Sequence, residues 1–156
     1  LAMEGVGVIN MRDAVLGTQV AQDTLKALSE ETDYAANIEK ATLLQTERQA
    51  LAEKLQKDGE TLAQDEIVDM QREIQEKGQE IEFIIGKVQA KQNQTIEKIF
   101  ADINPTLQKI LSELIAAKEV KLLLSQENVL FSDPALVLTD DVTSLLDVAL
   151  AEGQNE

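Results

Sequence analysis

Apolar residues recur at three- and four-residue steps through most of the middle of the chain, which is the spacing of one face of an α-helix. The first run has the following apolar positions: Leu25, Leu28, Ile38, Ala41, Leu44, Leu51 and Leu55. The second run is longer: Ile67, Met70, Ile74, Ile81, Ile84, Val88, Ile99, Ile103, Leu107, Ile110 and Leu114. The pattern predicts an antiparallel helical hairpin over 21–118, with its tip near 57–63.

Glycine and proline interrupt this pattern at a few places. Gly59 separates the two runs, and we expect it just past the end of the first helix, in the left-handed conformation that glycine readily adopts. Pro105 lacks an N–H, so we expect a kink there or a new helix over 106–117. Gly78 and Gly86 each cost a helix about 1 kcal/mol relative to alanine. The predicted hinges of the second helix are therefore Gly78, Gly86 and Pro105.

Short runs of β-branched and aliphatic residues flank the hairpin. The first, Gly5–Met11, predicts a strand, and a helical turn is expected after it over Arg12–Leu16. Two further strands are predicted at Val120–Leu124 and at 129–131, joined by a polar turn. Thr139 is predicted to cap the last helix, because its hydroxyl can accept a hydrogen bond from a free N–H of the first turn.

Together these elements predict a mostly helical α+β fold with a small β body built from both ends of the chain. The predicted division assigns 5–20 and 119–151 to the body, 21–118 to the helical arms and 152–156 to a disordered tail. A hairpin of this length cannot bury its apolar stripes inside one compact chain, and unpaired strand edges invite association. We therefore expect the chain to form an oligomer or to hold another molecule.

The composition excludes several kinds of chemistry. The 156-residue chain has no cysteine and no histidine, which excludes disulfides, thiolate ligands and Ser–His or Cys–His nucleophiles. Carboxylate pairs such as Asp69 and Glu73 are better explained as a solvated helix face than as a cation site, because no calcium-type loop accompanies them. We expect no enzyme activity, no catalytic residue, no metal site and no cofactor.

The net charge of the chain is −15, from 29 acidic and 14 basic residues. This balance argues against nucleic acid or anionic lipid as a partner held by the general electrostatic field. No stretch reaches the roughly 18 apolar residues of a membrane-spanning helix. The chain begins at Leu1 without a secretory signal, and we interpret it as a trimmed chain from which a signal peptide has been removed.

The order of the elements and four short motifs resemble the OmpH/Skp family of periplasmic chaperones. The motifs are Val8-Ile9-Asn10-Met11, Val120-Lys121-Leu122-Leu123-Leu124, Asn128-Val129-Leu130-Phe131 and Leu138-Thr139-Asp140-Asp141-Val142. The resemblance implies a jellyfish-like homotrimer, in which three coiled-coil hairpins, or tentacles, extend from a shared β body around a cavity. It also implies an ATP-independent holdase that keeps unfolded outer-membrane β-barrel proteins from aggregating in the periplasm.

The resemblance and the hairpin pattern together suggest roles for particular residues. Residues of the trimer body, by resemblance, are Val6, Val8, Ile9, Leu122, Leu124, Val129 and Phe131. Candidate contacts to an unfolded client are apolar residues at the tip or outside the helix–helix interface: Leu62, Ile67, Met70, Phe83 and Ile85. Two other interpretations stay open. The tip residues could simply close the hairpin, and Phe83 or Ile85 could pack within the trimer.

The charge departs from the family pattern. Better-known relatives are basic, and their positive tentacles are thought to attract acidic clients and lipopolysaccharide. This chain is acidic, and its tip has no cluster of lysine and arginine, since Lys54 and Lys57 lie among four carboxylates. We therefore do not expect a lipopolysaccharide contact. Clients would instead be basic, or would be held mainly by apolar contacts.

The same hairpin is compatible with a protein of a different class, a structural coiled-coil scaffold or adaptor. Such a protein would bind one folded partner in one register and would not protect unfolded chains. Saturable binding to a folded protein would favour this alternative over the chaperone.

Overall fold

The computed structural model describes residues 4–153 and is mostly helical, with a small two-stranded sheet. The elements in chain order are β1 (Val6–Ile9), α1 (Met11–Leu16), α2 (Gln19–Glu30), α3 (Thr32–Asp58), α4 (Gln64–Ala117), β2 (Leu122–Ser125) and α5 (Thr139–Gly153). Two single-turn 3₁₀ helices, Gln126–Asn128 and Pro134–Leu136, lie between β2 and α5. The predicted class, α+β with a dominant helical content, is confirmed.

Residue contacts divide the chain into two compact units. The strand unit contains the residues up to 26 and those from 95 onward, and the hairpin unit contains 27–94. These boundaries differ from the predicted ones at 20/21 and 118/119. The reason is that Ala21 and the α4 residues Ile103 and Leu107 pack in one core with Ile9 and Val142. Part of the predicted arm therefore belongs to the core around the strands.

The sheet in the strand unit consists of two parallel strands, with Val6 opposite Leu122 and Ile9 opposite Ser125. Parallel strands need a long crossover, and here helices α1 to α4 all lie between β1 and β2 in sequence. On its other edge β1 forms an isolated bridge between Val8 and Val137. Among the described residues β1 is thus paired on both edges, whereas β2 has one neighbouring strand.

Successive turns of α5 are hydrogen-bonded to the N-terminal segment, along a line that we call the polar ladder. Its bonds, from donor to acceptor, are Asn10 N to Thr139 Oγ1 (3.0 Å), Thr143 Oγ1 to Ala14 O (2.9 Å) and Gln19 N to Asp147 Oδ1 (2.7 Å). The acceptor or donor positions on α5 are four residues apart, so they lie on one face of the helix. The ladder joins parts of the chain that are 128 or 129 positions apart in sequence.

The Thr139 hydroxyl has a different role from the predicted one. Helix α5 begins at Thr139 itself, and its first backbone hydrogen bond runs from Val142 N to Leu138 O at 3.0 Å. The hydroxyl instead accepts from the backbone N–H of Asn10. The prediction that Thr139 caps its own helix is therefore wrong. Asn10 does act as a cap, since its Oδ1 accepts from Asp13 N at the start of α1.

The predicted strand at 129–131 is not formed. Val129 has an extended backbone, with φ −114° and ψ 122°, but Leu130 and Phe131 after it are fully exposed and 84% exposed respectively. An extended segment becomes a strand only when another backbone satisfies its N–H and C=O groups. No such partner lies beside 129–131 within the described residues, so the prediction of a return strand is wrong.

Of the two alternatives predicted at Pro105, the new helix is wrong, and so is the left-handed conformation predicted for Gly59. Helix α4 is continuous from Gln64 to Ala117 with Pro105 inside it, so there is no separate helix over 106–117. The buried side chains of Ile103 and Leu107 fix the helix to the core on both sides of the proline. Gly59 is right-handed, with φ −56°, and a side chain there would meet the carbonyl oxygen of Leu55 at 2.6 Å. Close approach, rather than a left-handed backbone, requires glycine at this position.

At the C-terminus, α5 extends to Gly153. Residues 152 and 153, which were predicted to be disordered, are therefore helical. The remainder of that predicted tail, 154–156, lies outside the described residues.

Partner residues run in opposite directions along α3 and α4, so the hairpin unit is antiparallel. The ion pairs that show this are Glu31–Lys91 at 3.6 Å, Lys40–Glu80 at 2.6 Å and Glu47–Lys77 at 2.7 Å. The tip consists of residues 59–63, between the end of α3 at Asp58 and the start of α4 at Gln64. It lies within the predicted region, 57–63.

The interface between the two helices contains few buried residues. Leu44, Ile81 and Ile84 form its core, with Ala41 and Val88 packed beside them. Ile38, predicted on the same stripe, is 43% exposed, because its position in the helix turns it about 100° away from the centre of the buried face. The interface is therefore narrow, and much of the helix surface faces solvent.

Lys77 lies at this interface with only 18% of its side chain exposed. Its Nζ donates to Glu47 Oε2 at 2.7 Å and lies 3.8 Å from Glu73 Oε1. The hydrogen bond to Glu47 is the main cause that raises the pKa of Lys77 above 10.5, with smaller contributions from the charges of Glu47, Glu73 and Glu80, and partial burial opposes it.

Replacing Thr139 with valine keeps the shape of the side chain but leaves the Asn10 N–H without its acceptor. The bond is partly buried, so leaving its donor unpaired costs about 1 kcal/mol, the low end of the range for buried groups. We expect Thr139→Val to lower the free energy of unfolding by that amount, measured by urea denaturation at fixed protein concentration. The control Thr42→Val removes an exposed hydroxyl that bonds only within its own helix, and should change stability by less than about 0.5 kcal/mol. Equal losses in both variants would contradict the polar ladder.

The raised pKa of Lys77 predicts a specific pH dependence. A lysine whose pKa is higher in the folded state contributes its full stabilisation below the unfolded pKa of 10.5, and loses it as the pH rises through the folded value. Titration of the Lys77 side chain by NMR should therefore give a pKa above 10.5, and Glu47→Gln should lower it. Glu53→Gln, on the same helix, should leave it unchanged. A Lys77 pKa that is insensitive to Glu47→Gln would show that the hydrogen bond is not its cause.

Candidate functional site

Two predicted client contacts, Phe83 and Ile85, lie on α4 with 63% and 42% of their surface exposed. Ile84 between them is only 4% exposed, since it packs against α3 in the hairpin core. Three consecutive helical residues point in directions about 100° apart, so burial of Ile84 together with Ile81 leaves Ile85 beside the interface and turns Phe83 towards the opposite side of the helix. Both side chains are therefore on the surface of the chain and available to a second molecule.

The ring of Phe83 is in contact with a cation. The Nζ atom of Lys87, one helical turn further on, lies 4.4 Å from the ring centroid, which is a cation–π distance. Gly86 is three residues further on and on the same side of the helix, and a side chain at that position would meet nothing within 4 Å. Phe83 thus has open space next to it and a ring face that already accepts a positive charge.

The three client-contact candidates at the tip are in a different environment. Leu62, Ile67 and Met70 are each half-buried, and they belong to the connection between α3 and α4 or to the first turns of α4. Their burial is compatible with closing the hairpin, the alternative that the sequence left open. Val68 beside them, which the sequence did not single out, is more exposed at 43%.

A second apolar surface lies in the strand unit. A groove of about 230 Å³ is lined by Val6, Val8, Leu124, Val129, Phe131, Ser132, Asp133 and Leu136. Five of the seven residues assigned to the trimer body by resemblance therefore meet at one place. Leu122, another of them, is 52% exposed on β2.

The other assigned residues differ in burial. Ile9 is 3% exposed and belongs to the core of the strand unit, and Val8 is 1% exposed. Ile9 therefore supports the sheet from the core side, whereas Val8, on the opposite face of the strand, forms the floor of the groove. Leu130, which was not singled out, is fully exposed next to Phe131. Leu130 lies in a short apolar run that predicted a strand. Its exposure becomes evident only in the structure, where no neighbouring strand of the described chain pairs with 129–131.

The predicted hinges lie in unlike surroundings. At Gly78 an added side chain would lie 3.2 Å from the guanidinium carbon of Arg48, so this glycine makes room for an arginine that crosses from α3. Gly86 is open, and Pro105 lies between buried turns of α4. Gly78 therefore has a packing role that the sequence did not indicate, whereas Gly86 has no contact that requires glycine.

The described residues show no group of three or more acidic side chains that could hold a metal ion. No helix within 4–153 is long and apolar enough to cross a membrane. The residues that stand out are thus exposed apolar side chains on two surfaces, set in a strongly acidic chain.

The fold is similar to that of a crystal structure from Caulobacter crescentus CB15 described as "a putative outer membrane chaperone (OmpH-like)". The two share 23% sequence identity with a TM-score of 0.55, over 96% of this chain and 87% of that chain. At this identity the likeness shows the fold alone. No curated protein matches the chain. A family model described as outer membrane protein (OmpH-like) matches residues 5–146, which confirms the resemblance predicted from the motifs. Because that match covers most of the sequence, the chain belongs to the OmpH-like family.

Proposed function

We propose that this protein is an ATP-independent holdase chaperone of the periplasm, which binds unfolded outer-membrane β-barrel proteins and prevents their aggregation. The observation that carries the proposal is the hairpin unit, where large apolar side chains such as Phe83 and Ile85 lie exposed on a helix of a highly charged chain. Membership of the OmpH-like family and the fold shared with an OmpH-like protein support it.

The proposed assembly is a homotrimer that forms through the strand unit. Its support is the groove beside β1 and β2, together with the exposed side chains of Leu122, Leu130 and Phe131. Strand β2 also has a free edge among the described residues, and pairing between copies would satisfy its backbone groups. In this arrangement the hairpins of three copies surround a shared cavity.

The proposed mechanism is encapsulation by many weak contacts. Apolar burial contributes roughly 25 cal/mol per Å², so each small contact with an unfolded chain is individually weak and easily exchanged. Such contacts prevent client molecules from meeting one another, yet they are lost when the client gains a lower free energy by folding in the membrane. No nucleotide is required for this release.

The first experiment is dilution of a urea-unfolded outer-membrane β-barrel protein into this protein. We expect a soluble complex with the mass of three chains and one client, measured by light scattering after size-exclusion chromatography. The double variant Phe83→Ala, Ile85→Ala should protect less client, because it removes exposed apolar area. The comparison variant Leu130→Ala, Phe131→Ala removes exposed apolar area from the strand unit. It should lower the mass of the assembly itself, because these residues belong to the proposed trimer contact.

Two results would contradict the proposal. One is a client that precipitates while this protein elutes alone, and the other is saturable binding to a folded protein without protection of unfolded ones. The second result would favour the scaffold or adaptor.

Flexibility of α4 at Gly86 is part of the proposed mechanism, because it lets the cavity fit clients of different size. Alanine in the open space at Gly86 should stabilise the helix by about 0.5–1 kcal/mol and narrow the range of client lengths that remain soluble. Gly78→Ala is the control for packing, since Arg48 must move to admit the new methyl group; we expect it to stabilise less. Thermal unfolding and the solubility assay with a short and a long client measure both effects. An unchanged client range in a stabilised Gly86→Ala variant would exclude Gly86 as a hinge.

A further inference from the structure

The hairpin unit has an excess of negative charge that ion pairing does not remove. Residues 27–94 include 15 acidic and 8 basic side chains, a net charge of −7. Four of the eight cations, Lys40, Arg72, Lys77 and Lys91, pair with carboxylates inside the unit. Each ion pair removes at least one carboxylate for every cation. Among the side chains outside these pairs, the ratio of acidic to basic residues is therefore higher than in the unit as a whole.

Phe83 lies on the face of α4 that points away from α3. Glu76, Gln79, Gly86 and Ala90 are three, four or seven positions from it and share this face. All are exposed, as is Glu82, the residue before Phe83 in the sequence. We call this region, from Glu76 to Ala90 on the side away from α3, the Phe83 face. It combines a large exposed ring with flanking carboxylates and open space at Gly86.

Lys87 demonstrates the chemistry that this ring accepts. Its Nζ lies 4.4 Å from the ring centroid, so the negative face of the aromatic ring is occupied by a cation from the same chain. Cation–π contacts at exposed sites are worth about 0.5–1 kcal/mol, so a lysine held only by such a contact is easily displaced. A lysine or arginine from another molecule would find the same ring together with the carboxylates of Glu76 and Glu82.

We infer that the Phe83 face binds cationic segments of unfolded polypeptides, with a lysine or arginine of the client replacing Lys87 over the ring. The inference rests on the proposed holdase function and names the class of segment that it captures. Charge complementarity selects this occupant, because an acidic segment would approach a unit of net charge −7 against repulsion. An anionic surface such as lipopolysaccharide is disfavoured at this face for the same reason.

The test uses two fluorescent, unstructured peptides of equal length and equal apolar content. One has arginines at the positions where the other has glutamates. Fluorescence anisotropy with the intact protein should show tighter binding of the arginine peptide, and its affinity should fall as salt is raised, because salt screens exposed charges. Equal binding of the two peptides, or tighter binding of the glutamate peptide, would overturn the inference.

Two variants locate the binding to the ring. Phe83→Leu keeps an apolar side chain but removes the aromatic face, and should weaken binding of the arginine peptide about two- to five-fold. Phe100→Leu makes the same change at a half-buried ring in the strand unit, outside the proposed trimer contact, and should not alter the affinity. Lys87→Met should tighten binding of the arginine peptide by more than Lys57→Met, which changes the net charge equally but lies far along the chain from Phe83. If each variant matches its control, the Phe83 face is not the site.

Failure of the inference and failure of the proposed function give different results. If the protein keeps a β-barrel client soluble but does not distinguish the peptides, the function stands and the inference is wrong. If the arginine peptide binds at Phe83 but no client stays soluble, cationic binding stands and the holdase function is wrong. Light scattering of each variant confirms that its assembly is unchanged, so that a loss of affinity is not caused by misfolding.

Discussion

The strand unit depends on contacts between the two ends of the sequence. Strand β1 pairs in parallel with β2, and the polar ladder fastens α5 to residues 128 or 129 positions earlier. Everything between these segments is a crossover, so the whole helical hairpin is in effect an insertion between two strands. The entropy lost in closing a loop grows only slowly with its length, which explains how a short sheet tolerates so long an insertion. The apolar core of Ile103, Leu107 and Val142 supplies the burial that offsets this loss.

The hairpin unit is stabilised differently, and this difference suits a binding role. Its apolar cluster has three buried residues with two partly buried neighbours, and Leu28 and Tyr34 are buried outside that cluster. Exposed ion pairs contribute little individually. A narrow interface leaves most of both helices open to solvent, including Phe83 and Ile85. The carboxylates on this surface keep the exposed apolar side chains hydrated, and they also favour positively charged segments as binding partners. Solubility and selectivity of the proposed site thus have one physical origin.

Much of the architecture is visible in the residues themselves. Spacing of apolar residues predicted both long helices and the tip, and short runs of β-branched and aliphatic residues predicted β1 and β2, because these signals are local. Exposure of Phe83 and Ile85 followed from their position beside Ile84 on a helix. The corrections arise where a partner decides the outcome. Pro105 stays helical because its neighbours are buried in the core, and 129–131 is not a strand because no backbone lies beside it.

The sequence by itself determined the helical hairpin, the mostly helical class, the acidic surface and the absence of thiol and imidazole chemistry, since these follow from periodicity and composition. Only the tertiary structure decided that α4 is divided between the two units, with residues up to 94 in the hairpin unit and those from 95 in the strand unit. It also assigned the Thr139 hydroxyl to Asn10, the space at Gly78 to Arg48 and the ring of Phe83 to Lys87. These are pairings between side chains or distant segments, and a pattern along one chain specifies which residues seek burial or a partner without specifying which partner they meet.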